Sequence, residues 1–154
     1  MTLALSNENR TADPVPVAGL RQAEAQLIAM LRLWRDGTEG RAEVWNRLCV
    51  TLGPARGRMC LRAFEDVLRL LHQHGWRDLT VLPPGAMRIS DDERGFAAFA
   101  LQATEADREE ALLQATFLVA PAAMLRLVHA AGRLSLPLLC EESRCRLAAA
   151  ARDA

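Results

Sequence analysis

The sequence predicts an all-α fold, a compact bundle of six to seven helices. The chain has 154 residues, which suits one domain of ordinary size that buries about 70% of its unfolded surface without a metal or a disulfide. Apolar residues recur at spacings of three and four along most of the chain, which is the pattern of helices with one buried face. Glycine or proline follows most of these stretches, as is typical of helix ends.

The chain divides into an N-terminal arm and one helical domain. Residues 1–17 are polar, lack periodicity and contain two prolines, which predicts a flexible arm, and the helical domain then spans residues 18–154. The arm lacks the basic start and the apolar run of a signal peptide. The longest uncharged stretch, Ala111–Leu125, is shorter than the ~20 residues that a membrane-spanning helix needs. We therefore expect a cytoplasmic protein that binds no membrane.

Three amphipathic helices are predicted in the first half of the domain. Gly37 ends the first, Gly53 and Pro54 separate the second from the third, and Gly75 ends the third. In each helix the apolar residues keep to one face. The residues expected to face inward are Leu20, Ala23, Leu27, Met30, Leu31 and Trp34 in the first helix, Val44, Trp45, Leu48 and Leu52 in the second, and Met59, Phe64, Val67, Leu68 and Leu71 in the third.

The periodicity changes after Gly75. Leu79–Leu82 and Met87–Ile89 are short apolar runs on either side of Pro83-Pro84-Gly85. Proline followed by glycine suits the central positions of a type II turn, because the second of them requires positive φ. A short β-hairpin over residues 79–89 is the one strand feature that the sequence allows.

Two helices are predicted directly after this turn. Ser90 and Glu93 have the capping-box spacing, in which the serine oxygen accepts one free amide and the glutamate accepts another. Thr104 and Asp107 have a similar spacing, which predicts the start of the next helix. The residues expected to face inward are Phe96, Phe99, Ala100 and Ala103 in the first of these helices, and Leu112, Leu113, Thr116 and Phe117 in the second.

The chain is predicted to finish with two more helices. Pro121 suits the first turn of a helix that ends at Gly132, and a last short helix follows Glu141 into an alanine-rich tail. The residues expected to face inward in the helix after Pro121 are Met124, Leu125, Val128 and Ala131.

The composition excludes several kinds of chemistry. Nineteen basic residues balance nineteen acidic ones, which argues against nucleic acid as a partner. All the basic residues are arginine and there is no tyrosine, so a lysine Schiff base, a P-loop lysine and a phenol acid are impossible. None of the four serines stands in a nucleophile elbow. No catalytic residue is predicted, and an enzyme is not the favoured interpretation.

The four cysteines are candidate metal ligands, because thiolates bind zinc and iron well. Cys49 and Cys60 have ten residues between them, and Cys140 and Cys145 have four. Paired zinc ligands usually have two to four residues between them, and Cys49 and Cys60 exceed this spacing. Cys140 and Cys145 are five positions apart, so on one helix their side chains would point about 140° away from each other. Free thiols in the core are the favoured interpretation, and we expect no cofactor.

Arg56, Arg58 and Arg62 form a candidate anion site. They surround the start of the third helix, where free amides and guanidinium groups together bind phosphate or carboxylate. A solvated loop is the favoured interpretation of these residues. A DNA-binding helix-turn-helix is disfavoured, because Glu65 and Asp66 follow on the helix that would read the DNA and would repel phosphates.

Trp76 is a candidate interface residue. It follows Gly75 and precedes Arg77, and an exposed tryptophan is a typical binding anchor. Packing under the Pro83-Pro84 turn is nevertheless the favoured interpretation of Trp76. The apolar stripes are numerous for a bundle of this size, and a stripe that stays exposed would be an interface. The sequence therefore favours a regulatory or adaptor module that binds a protein partner or forms a homodimer; a metal- or small-anion-binding module and a DNA-binding regulator are the alternatives.

Some stretches of the sequence resemble small uncharacterised helical proteins of GC-rich bacteria. They are Arg32-Leu-Trp-Arg-Asp-Gly37, Ala42-Glu-Val-Trp-Asn-Arg-Leu48, Asp107-Arg-Glu-Glu-Ala-Leu-Leu113 and Phe117-Leu-Val119. The likeness extends over residues 28 to 139 and implies a bacterial, cytoplasmic, all-α protein. It implies no activity.

Overall fold

The computed structural model describes residues 15–16, 19–105 and 107–154. The predicted N-terminal arm lies outside the described residues except for Val15 and Pro16. The described part is an all-α bundle, as predicted, with one pair of two-residue strands. Its elements are β1 (Val15–Pro16), α1 (Gln22–Arg35), α2 (Thr38–Leu52), α3 (Pro54–His74), β2 (Arg88–Ile89), α4 (Asp91–Gln102), α5 (Arg108–Leu118), a 3₁₀ turn (Pro121–Ala123) and α6 (Met124–Arg152).

The first three helices follow the predicted boundaries. Gly37 and Gly53 precede α2 and α3, and both have positive φ, which glycine adopts without strain. Leu27 and Leu31 of α1 are fully buried. Trp34 packs edge-on against Phe64 of α3, with ring centroids 5.5 Å apart. These contacts join α1 to α3 across one core.

The predicted inward face of α3 is wrong at its first residue. Met59 is 71% exposed, whereas the next residue, Cys60, is completely buried. The buried face of α3 runs through Cys60, Phe64 and Val67, and one residue along a helix is a rotation of 100°. Met59 therefore lies at the edge of the interface with α6 rather than inside it.

The turn at Pro83–Ala86 has the predicted type II geometry. The Ala86 amide donates to the Pro83 carbonyl at 3.1 Å, and Gly85 has a φ of 85°. The hairpin predicted over residues 79–89 is wrong, because Arg88 and Ile89 pair instead with Val15 and Pro16 in antiparallel register.

Carboxylates of α4 explain why residues 79–82 form no strand. The Thr80 amide donates to Asp92 at 2.6 Å, and the Leu82 amide donates to Glu93 at 2.8 Å. Both amides would otherwise pair with a second strand. The start of α4 thus holds residues 79–82 in an ordered conformation. We call the segment from Leu79 to Ser90, which includes β2, the 79–90 loop.

Helix α4 begins with the predicted capping box, in which Ser90 and Glu93 each accept a hydrogen bond from the other's amide. Helix α5 begins later than predicted. Asp107 is its N-cap and accepts from the Glu110 amide at 3.0 Å, so Thr104 does not start the helix.

Helix α5 does not bury the predicted face: of its four residues, only Leu112 packs against the core. Its fully buried residues are Ala111 and Ala115, whereas Leu113 is 55% exposed and Phe117 is 77% exposed. The small alanines allow α5 to lie close to its neighbours, and the larger apolar residues are left at the surface.

Helix α6 is continuous over 29 residues, which corrects the prediction of two helices separated near Gly132. It contacts all five other helices and is the centre of the bundle. Pro137 lies inside it and cannot donate a hydrogen bond to the Arg133 carbonyl four residues earlier. Burial of Leu134 and Leu138 against the neighbouring helices holds this stretch helical.

The segment Pro121–Arg152 is long and apolar enough to cross a membrane by length and composition alone. Of its most apolar 18 residues, 44% are buried inside the protein. A central helix of a bundle meets the same criterion, because its neighbours cover much of its surface. The expectation that the protein binds no membrane stays a prediction.

Candidate functional site

A buried ion pair joins α1 to α4 and to the 79–90 loop. Arg32 Nε donates to Glu93 Oε1 at 2.8 Å, and Arg32 Nη2 donates to Glu93 Oε2 at 2.9 Å. The remaining guanidinium N–H groups donate to the carbonyls of Ala86 and Arg88. Arg32 therefore holds both Glu93, at the start of α4, and Arg88 of β2 in place.

The carboxylate of Glu93 is surrounded by donors. It accepts from the amides of Ser90 and Leu82, at 2.9 and 2.8 Å, as well as from Arg32. Burial raises the pKa of Glu93, but these hydrogen bonds outweigh it, so that its pKa lies below the usual value. With its oxygens engaged by the protein itself, Glu93 acts as a structural centre rather than as a reactive group.

Capping-box spacing identified Glu93 in the sequence, but nothing in the sequence identified Arg32 as its partner. The two residues are 61 positions apart, and no local spacing links them. Only the packing of α1 against α4 brings them together.

An exposed apolar surface lies where the residue after α3 meets the end of α5. The Trp76 amide donates to the Leu118 carbonyl at 3.2 Å, and its indole Nε1 donates to the Thr116 carbonyl at 2.9 Å. Trp76 is 61% exposed, so the favoured interpretation, in which it packs under the proline turn, is wrong. Leu113 and Phe117, one turn apart on α5, are exposed as well. We call Trp76, Leu113 and Phe117 the α5 patch.

Polar groups border the α5 patch. Arg77 donates to both oxygens of Asp92, at 2.6 and 2.8 Å, and lines a cleft of about 80 Å³ together with Phe117. The hydrogen bonds from Arg77 hold the pKa of Asp92 below its usual value, against the opposing effect of burial. The surface thus has exposed apolar side chains at its centre and a fixed ion pair at its edge.

The predicted anion site is only partly assembled. Arg56 and Arg62 line a groove between α3 and α6, whereas Arg58 is exposed and does not line it. The groove has a volume of about 620 Å³. We call it the α3–α6 groove, and its lining residues are Arg56, Met59 and Arg62 of α3 and Arg133, Leu136, Pro137 and Cys140 of α6.

The four cysteines are not assembled into one site. Cys60 is buried and its thiol donates to the Leu134 carbonyl at 3.5 Å, and burial raises its pKa to about 12. Cys140 is exposed, and Cys49 and Cys145 are half-buried. In the described ranges, no three histidine, cysteine or acidic side chains form a group that could hold a metal ion.

A second groove of about 570 Å³ lies between α1 and α2. Ala25 and Ala29 leave room at its floor, and Gln26 lines it with a buried side-chain oxygen that has no hydrogen-bond partner in the described part of the chain. Glu43 and Arg47 also line this groove, and they pair with each other at 2.9 Å.

In comparisons with known proteins, no family model, no curated protein and no solved structure matches the chain. The bacterial origin and the cytoplasmic location expected from the sequence therefore stay predictions.

Proposed function

We propose that the protein is a non-catalytic protein–protein interaction module that binds its partner through the α5 patch. The observation that carries the proposal is the exposure of Leu113 and Phe117, one turn apart on α5, together with that of Trp76, whose indole bonds to the Thr116 carbonyl of the same helix. Moving one such side chain from water to an apolar contact is worth about 1.5–3 kcal/mol. Three side chains at one surface can therefore contribute a large part of a binding free energy.

The composition of the patch supports a protein partner. Aromatic residues are enriched at protein interfaces, and binding energy concentrates in a few such anchors surrounded by polar groups. The ion pair between Arg77 and Asp92 provides a polar border. The Trp76 indole is already held by its hydrogen bond to Thr116, so little side-chain freedom is lost on binding.

The patch also predicts the chemistry of the partner. Its centre carries no charge, so the matching surface is expected to be apolar, with groups at its border that pair with Arg77 or Asp92. A second copy of this chain and a different protein both meet this description, and the mass of the complex distinguishes them.

Site-specific photo-cross-linking in cells tests the proposal. A photoreactive benzoylphenylalanine replaces Phe117, and in the matched control it replaces Met87, which is equally exposed but outside the patch. We expect one discrete cross-linked species from position 117 and none from position 87. A species of twice the protomer mass indicates a homodimer, and any other mass indicates a different partner.

A second substitution tests whether the patch itself selects the partner. Leu113→Asp leaves the hydrogen bond between Trp76 and Thr116 in place and should abolish the species formed from position 117, with circular dichroism unchanged. Cross-linking that is equal at positions 117 and 87, or that Leu113→Asp does not reduce, would overturn the proposal.

A further inference from the structure

We propose that the α3–α6 groove binds an amphiphilic anion, a molecule with a carboxylate or phosphate head and an apolar tail. The proposal is independent of the α5 patch, because the groove is lined by different residues on α3 and α6. It rests on the charge of the groove, on its apolar lining and on its size.

The charge of the groove is positive. Arg56, Arg62 and Arg133 line it, and no carboxylate does. Within the described residues, Arg56 and Arg62 have no ion-pair partner within 4 Å, and Arg133 shares Asp66, at 3.2 Å, with Arg69. Guanidinium groups bind carboxylates and phosphates through paired hydrogen bonds. Two of the three are thus available to an anion without breaking an existing pair.

Two acidic groups beside the groove already pair with arginines. Asp66 lies on the same helix and accepts from Arg69 as well as from Arg133. Glu141 follows Cys140, and its carboxylate accepts from Arg144. Glu141 is also attracted by Arg56, but the two do not form an ion pair within 4 Å, so an anion can still approach Arg56 and Arg62.

The rest of the lining is apolar. Met59 is 71% exposed and Leu136 is 53% exposed, and Pro137 completes the surface between them. Methionine adapts its shape to an apolar ligand because it is unbranched and polarisable. An anion without an apolar part would leave these side chains in water, so the groove favours a head group joined to a tail.

The size of the groove suits a small molecule. Its volume of about 620 Å³ lies within the range of ~300–1,000 Å³ that is usual for small-molecule sites, which are mostly apolar with a few polar groups. Arg56 and Arg62 are six residues apart along α3, a rise of about 9 Å. The head group would pair with one of these arginines while the tail lies over Met59 and Leu136.

Titration calorimetry with four probes tests the proposal: decanoate, decyl phosphate, decyltrimethylammonium and inorganic phosphate. We expect decanoate or decyl phosphate to bind with a stoichiometry of one, at least about tenfold more tightly than the other two, and more weakly as salt is raised. Arg62→Glu should weaken binding by about tenfold or more, since it removes one guanidinium and adds a repulsive charge. Arg58→Glu is the matched control on the same helix and should change binding by less than about twofold.

Four results would overturn the proposal. Equal binding of decanoate and decyltrimethylammonium would show that charge plays no part. Equal binding of inorganic phosphate and decyl phosphate would show that the tail plays none. Failure of both decyl anions to bind the folded protein, or an equal loss in Arg58→Glu and Arg62→Glu, would remove the site altogether.

Discussion

At the scale of single residues, Glu93 shows what local spacing reveals and what it does not. The capping box was predictable because both of its members lie within four positions of each other. The pairing of Glu93 with Arg32 was not, because two helices have to pack before the charges meet. The residue that looked like an ordinary cap is therefore also the link between α1, α4 and the 79–90 loop.

Replacing Glu93 by glutamine is expected to lower the free energy of unfolding by about 3–5 kcal/mol at pH 7, because it leaves the charge of Arg32 buried without a counter-charge. Glutamine has nearly the same shape and keeps an oxygen for the Ser90 amide. Urea unfolding followed by circular dichroism measures the change. Glu105→Gln is the control, since it removes an exposed ion pair with Arg21 and should cost less than about 1 kcal/mol.

The same pair predicts how stability depends on pH. The folded-state pKa of Glu93 lies below its ordinary value of 4.5, so its contribution is present above about pH 4.5 and is lost as the pH falls through the folded-state pKa. The native protein should be more stable than Glu93→Gln at pH 5, and this difference in stability should shrink as the pH is lowered from 5. A difference that stays constant from pH 5 to about pH 2.5 would show that folding does not lower the pKa of Glu93.

The cysteines are expected to react with a disulfide reagent in an order set by burial. Cys140 is exposed and should react first, and Cys60, with its pKa raised to about 12, should react only when the protein unfolds. Ellman's reagent at pH 8 measures the time course, and the denatured protein provides the total of four thiols. Cys140→Ser should remove the fast phase alone; rapid reaction of Cys60 in the folded protein would contradict its burial.

At the scale of helices, the sequence predicts where a helix lies better than which face it buries. Helix α5 has two apolar stripes. One contains Leu113 and Phe117, and the other contains Ala111 and Ala115. Hydrophobicity favours the larger residues, but close packing against α6 and α4 requires the smaller ones. A periodicity of 3.6 residues cannot distinguish the two stripes.

Helix α6 illustrates a second limit of local rules. Gly132 was predicted to end the helix and Pro137 is unfavourable inside one, yet the helix continues through both. The Gly132 carbonyl accepts a hydrogen bond from Thr104, at 3.1 Å, and the neighbouring Leu134 is buried. Contacts with other helices thus outweigh the intrinsic preference of two residues.

Two glycines provide a matched test of helix packing. A Cβ atom at Gly40 would lie 1.9 Å from the Leu33 carbonyl oxygen of α1, whereas a Cβ atom at Gly95 meets nothing within 4 Å. Gly40→Ala is expected to destabilise the protein by about 1–3 kcal/mol through forced separation of α1 and α2. Gly95→Ala, in the interior of α4, should stabilise it by about 0.5–1 kcal/mol. Urea unfolding of both variants measures these changes, and equal effects would contradict the close approach at Gly40.

At the scale of the whole molecule, the fold class was predictable and the surfaces were not. Composition, periodicity and stop signals are enough for an all-α bundle. The α5 patch and the α3–α6 groove each combine residues from elements that are distant in sequence. The sequence therefore identified only single members of each surface: Trp76 of the α5 patch, and Arg56 and Arg62 of the α3–α6 groove. Met59 and Phe117 were expected in the core, and their exposure is what gives both surfaces their apolar character.

A comparison of two phenylalanines tests this division between core and surface. Phe96 is almost fully buried and Phe117 is 77% exposed, although the sequence predicts both to face inward. Phe96→Ala is expected to cost about 3–5 kcal/mol, because it removes buried apolar contacts and leaves a cavity. Phe117→Ala should change stability by less than about 0.5 kcal/mol, as is usual for surface positions.

If Phe117→Ala instead costs more than about 2 kcal/mol in dilute solution, the residue is packed in the core and the α5 patch does not exist. A cost that appears only at high protein concentration would mean that a second copy covers Phe117, since the stability of an oligomer depends on the concentration of its protomers.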